Sequence, residues 1–110
     1  MDLNMIVLCG RIVAEPEFDD CGGGLVRARL RLTVRSDHPG RRIDVLPITC
    51  LDPPAVLWEP AVVGRRAGVA GSLQHRFWDA QDGRRFRIEV VARSVWLFPR
   101  SGEEEENAPV

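Results

Sequence analysis

Residues 26–35 alternate without a break. Val26, Ala28, Leu30, Leu32 and Val34 are apolar, and Arg27, Arg29, Arg31, Thr33 and Arg35 between them are polar. Successive side chains of a strand point to opposite faces, so this stretch buries its apolar set by lying half-exposed in a sheet. A helix would scatter the same five residues around its circumference. The rest of the chain is punctuated to match. Ten glycines and eight prolines cut it into short apolar runs, which favours strands over long helices.

A first strand runs over Met5–Val13, with Gly10 as a bulge or bend, and Ala14-Glu15-Pro16-Glu17 stops it. Asp19 to Gly24 reads as a loop, and the alternating segment is the second strand. Ile43–Cys50 is the third. It contains Pro47, which cannot donate to a ladder and places that strand at an edge or a bulge. Ala55–Gly64 can form one short helix, limited by Pro60 and capped by Gly64. Val69–Trp78 and Phe86–Val95 are two further strands joined through Asp82-Gly83, a hairpin signal. Five strands with one short helix between the third and fourth is the plan of an all-β OB-fold barrel. One domain over residues 1–100 accounts for it, followed by a polar segment, 101–110, read as a disordered acidic tail.

Charge is unevenly spread. The net charge is -1, yet all 15 cationic residues are arginine, and residues 1–102 hold only 12 of the 16 acids and so carry +3. The other four are Glu103 to Glu106. A basic body suits a polyanionic partner. No apolar run approaches the ~20 residues of a membrane span, and Met1-Asp2-Leu3-Asn4 lacks the basic start of a signal peptide. Cys9, Cys21 and Cys50 are odd in number and irregular in spacing, which fits neither a disulfide framework nor a zinc site. His38 and His75 have no partner at triad or ligand spacing, and no phosphate-binding glycine loop occurs. The expectation is a cytoplasmic binding protein that is not an enzyme, with no metal or cofactor and no small-molecule substrate.

Several segments resemble the bacterial single-stranded DNA-binding protein family. They are Asn4 to Glu17 with its Gly10 and Glu15-Pro16-Glu17 stop, Ala28 to Leu32, Gly71-Ser72-Leu73 leading to Trp78, Asp82-Gly83, and Glu89-Val90-Val91-Ala92. They fall in the family's order on a matching strand plan, across about residues 4–97. The resemblance implies an OB-fold that binds single-stranded DNA without sequence preference. It also implies service in replication, recombination or repair, at the nucleoid. It implies a homo-oligomer, dimer or tetramer, formed by pairing first strands across a two-fold axis. The chain departs from the family in two respects. Asp44 and Cys50 stand where an ungapped alignment expects tryptophan and phenylalanine, on a third-strand face shared with Leu46 and Ile48 that should meet DNA. The end, Asn107-Ala108-Pro109-Val110, lacks the hydrophobic tip through which the family recruits other proteins, so that recruitment is not carried over.

The candidate nucleic-acid contacts follow from alternation. Arg27, Arg29, Arg31 and Arg35 recur every ~6.6–6.8 Å along one strand face, a spacing comparable to phosphates on an extended single strand. Trp78 has polar neighbours at Arg76 and Gln74, so it reads as a base-stacking platform, with Arg76 to hold the phosphate. Arg85 and Arg87 share a face farther along the same hairpin, and Arg41 and Arg42 add charge beside the third strand. Trp58 and Trp96, in apolar surroundings, read as core. An apolar third-strand face with a single acid also suits a protein partner, so the alternative is an assembly subunit resembling primosomal proteins.

Overall fold

The computed structural model describes residues 1–100, and the acidic tail expected at 101–110 lies outside them. Among the described residues six strands form in chain order: β1 (Ile6–Ile12), β2 (Glu17–Asp20), β3 (Val26–Ser36), β4 (Arg42–Leu51), β5 (Arg66–Ala80) and β6 (Gly83–Leu97). The sheet order is β1-β5-β6-β4-β3-β2, and a further β1–β3 pairing closes β1, β5, β6, β4 and β3 into a five-stranded barrel. All pairings are antiparallel except β4–β6, where Ile48, Thr49 and Cys50 face Val90, Val91 and Ala92 in parallel. This is the OB-fold expected from the strand plan.

β2 is additional to that plan. Its four residues pair with Val26 to Arg29 outside the barrel, although Asp19 and Asp20 are poor strand formers. The glycine turn Gly22–Gly24, positive in φ throughout, folds β2 back onto β3. The expected helix is also different. Residues 55–64 form two 3-10 turns, Ala55–Trp58 and Pro60–Val62, separated by an extended Glu59. Pro60 has no amide hydrogen to continue a helix, and a residue before proline is pushed out of the helical region.

The barrel is filled by the inward residues of the alternating strands. Ile12, Leu30, Leu32, Ile48 and Val69 are fully buried, and Leu57 and Val62 of the 3-10 turns plug the barrel beside them. Each such side chain contributes about 1.5–3 kcal/mol of burial. Gly10 serves closure. β1 leaves β5 and joins β3 next to it, and a Cβ there would stand 2.1 Å from the Thr33 carbonyl oxygen.

Two tryptophans sit outside the core, against expectation. Trp58 is 52% exposed and stacks flat on Phe18 of β2, with ring centroids 3.7 Å apart. Trp96 lies over the outside of Gly68, where its ring takes the space a side chain would fill. Among the described residues, the buried centre of the barrel holds no aromatic side chain.

Past Leu73 and Val90 the β5–β6 hairpin leaves its neighbours and projects as a two-stranded arm, from His75↔Ile88 to Ala80↔Gly83. Directly opposed residues of an antiparallel pair share a face. One arm face therefore carries Gln74, Arg76, Trp78, Arg85, Arg87 and Glu89, and the other carries His75, Phe77, Phe86 and Ile88.

Candidate nucleic-acid interface

The outer face of β3 presents Arg27, Arg29, Arg31 and Arg35, opposed on β4 by Leu51, Thr49, Pro47 and Ile43. The Thr49 hydroxyl donates to Glu89 Oε2 at 3.4 Å, which joins this face to the Trp78 face of the arm. All eight sequence-predicted residues, Trp78, Arg76, Arg27, Arg29, Arg31, Arg35, Arg85 and Arg87, thus lie on one continuous side of the sheet. Trp78 is 41% exposed, and the Arg87 guanidinium sits 5.7 Å from its ring centroid, a cation–π contact that steadies the ring from one side.

Asp44, Leu46, Ile48 and Cys50 are on the opposite face, which corrects the alignment-based expectation. They face Val34, Leu32, Leu30 and Ala28 on the barrel side. Cys50 is in the core, and burial pushes its thiol pKa up, with Asp52 adding to the effect. Asp44 lies beyond the end of the core and holds Arg42, whose Nε donates to its two oxygens at 2.9 and 3.0 Å. That hydrogen bond raises the pKa of Arg42 and takes the side chain away from the interface. A one-residue slip in a strand exchanges its two faces, so the exposed residues of β4 beside the arginines are Ile43, Val45, Pro47 and Leu51.

Carboxylates already occupy much of the basic face. Asp19 Oδ2 accepts from Arg27 at 3.0 Å and from Arg29 at 2.5 and 3.1 Å. The Arg29 bond, then that of Arg27, holds the Asp19 carboxyl below its ordinary pKa, and Asp19 in turn raises that of Arg29. Glu89, whose side chain is 11% exposed, lies 3.4 Å from Arg87 and 4.0 Å from Arg76. Asp82 holds Arg85. Among the described residues, Arg31 and Arg35 have no ion pair. Sequence reading missed Asp19 and Glu89 as regulators of this face. The signal was present in Glu89, which alternates with Arg85 and Arg87, but Asp19 required knowing that β2 exists.

Sequence reading also missed the apolar arm face. Phe77 and Phe86 are exposed, and His75 bridges them with ring centroids 4.3 and 5.1 Å away. Their alternation resembles that of a core strand, but among the described residues no third strand reaches the arm to bury them.

Residues 3–98 match the family model described as the single-strand binding protein family. The chain belongs to this family. Among curated members of the single-strand binding family, the single-stranded DNA-binding protein of Halalkalibacterium halodurans is 33% identical over 121 residues, covering 98% of this chain and 68% of that protein. That of Bacillus cereus is 32% identical over 117 residues, covering 94% of this chain and 65% of the relative. The chain therefore spans about two thirds of the length of the relatives it matches. Solved structures share its fold. The Plasmodium falciparum SSB complex with ssDNA has a TM-score of 0.73 at 24% identity over 90% of this chain and 97% of that one. A deletion mutant of the Thermus aquaticus single-stranded DNA binding protein has the same score and identity over 92% of this chain and 53% of its own. The family is named for binding and not for a reaction. Among the described residues, no helix is long and apolar enough to cross a membrane.

Proposed function

We propose that residues 1–100 bind single-stranded DNA without sequence preference, as a homo-oligomer acting at the nucleoid in replication, recombination or repair. The observation that carries this reading is the gathering of Trp78 and seven arginines on one side of the sheet. Bases have a π-face whatever their identity, and phosphates are uniform, so a stacking platform beside spaced guanidiniums binds a single strand with no base readout. Arg31 and Arg35 are open to phosphate at once, whereas Arg27, Arg29, Arg76, Arg85 and Arg87 exchange a carboxylate for it.

The exposed apolar residues of β4 and of the arm support a second reading, a protein-interaction subunit of an assembly. A fluorescence titration with poly-thymidine separates the two. Binding whose log K falls with log salt, and which Trp78→Ala weakens by about 1–3 kcal/mol with the fold intact by circular dichroism, supports the nucleic-acid reading. A folded protein with no salt-dependent binding favours the assembly subunit.

A further inference from the structure

A cleft of about 550 Å³ opens where β1 crosses from β5 to β3, and Arg11, Arg35 and Arg66 rim it together with Thr33, Cys9 and Gly64. The register explains the convergence. Arg11 is opposite Thr33 on β3 and opposite Arg66 on β5, so three strands deliver their outward residues to one point. Arg35 is the last arginine of the β3 stripe, which makes the cleft continuous with the proposed interface.

Among the described residues, no carboxylate lines this cleft. The neighbouring depression on the same side balances Arg29, Arg31 and Arg87 against Glu15, Glu17 and Glu89. Nor do the three cleft arginines have ion pairs among the described residues. Arg11 donates to the Gly64 carbonyl oxygen at 3.1 Å, and Arg66 lies over the Phe98 ring at 5.0 Å. These contacts hold Arg11 and Arg66 without cancelling their charge. A phosphodiester reaching this point meets guanidiniums that are already positioned and need release no carboxylate.

We propose that the Arg11–Arg35–Arg66 cleft is a phosphate-binding subsite for single-stranded DNA and the strongest electrostatic anchor on the molecule. The proposal rests on the nucleic-acid reading above. It gives the strand a path from Trp78 along β3 to the mouth of the cleft.

The test replaces Arg11 and Arg66 together, as Arg11→Gln and Arg66→Gln, and follows poly-thymidine binding across salt. Loss of two phosphate contacts lowers the magnitude of the log–log slope by about 1.4, which between 1 M and 0.05 M salt accumulates to roughly 60-fold in affinity. Quenching of Trp78 at saturation should remain. In the wild-type protein, the arginine Nε–H resonances of Arg11 and Arg66 should shift on titration, a readout that does not depend on whether the variant folds. If the wild type binds but its Arg11 and Arg66 signals stay in place, or a folded double variant keeps affinity and slope, the cleft is not a subsite. Absence of binding by the wild type would instead remove the nucleic-acid reading itself.

Discussion

At the scale of single residues, Asp19 limits what two of the arginines can do. One carboxylate oxygen accepts from both Arg27 and Arg29, in the position a phosphate oxygen would take. Asp19→Asn keeps the shape and releases two guanidiniums, so poly-thymidine binding should tighten and its salt dependence should steepen, as measured by titration at 0.05 and 0.2 M salt. Stability should move the other way, with a pH dependence. The folded-state pKa of Asp19 is depressed, so its ion pairs stabilise the protein above the ordinary carboxylate value of about 3.9. That contribution disappears as pH falls through the lower folded value. Chemical denaturation should show wild type more stable than Asp19→Asn at pH 6 and level with it at the acid end. A wild-type advantage that persists there would assign the difference to packing.

At the scale of elements, the strands and the barrel plan were legible because period-two alternation and glycine–proline punctuation are local signals. The β3 arginine face and the Trp78–Arg76 face came directly from that alternation. The face of β4 did not. Its sequence, Ile43-Asp44-Val45-Leu46-Pro47-Ile48, is apolar on both sides of the strand, so only the pairing Leu30↔Ile48 fixes which side is inside. The consequence can be measured. Ile43→Trp places an indole on the outer face opposite Arg35 and should strengthen single-strand binding by about 1–3 kcal/mol. Asp44→Trp, on the other face, should leave binding unchanged. Fluorescence titration of the two variants decides, and the reverse result would mean that β4 pairs one residue out of the described register. β2 and the 3-10 turns were illegible for a different reason. Both are held by tertiary contacts, Phe18 on Trp58 and Leu57 and Val62 in the core, that override weak local propensity.

At the scale of the whole molecule, everything depends on barrel closure at one tight crossing. Gly10 lets β1 turn from β5 to β3, and the cleft arginines converge only because those three strands meet there. Gly10→Ala forces a methyl group against the Thr33 carbonyl oxygen and should destabilise the fold by about 1–3 kcal/mol. A thermal melt would read this as a lowered Tm, and an unchanged Tm would show that the crossing has slack.

The carboxylates of the basic face also bear on how a bound strand moves. When Arg27, Arg29, Arg76, Arg85 or Arg87 lets go of a phosphate, Asp19, Glu89 or Asp82 is within reach to take its charge. At those five positions release becomes a swap of one anion for another, one side chain at a time. A bound strand can then be handed from one of these side chains to the next while Arg31 and Arg35, which among the described residues have no carboxylate to return to, keep their hold. A surface of unpaired arginines would grip harder and stall.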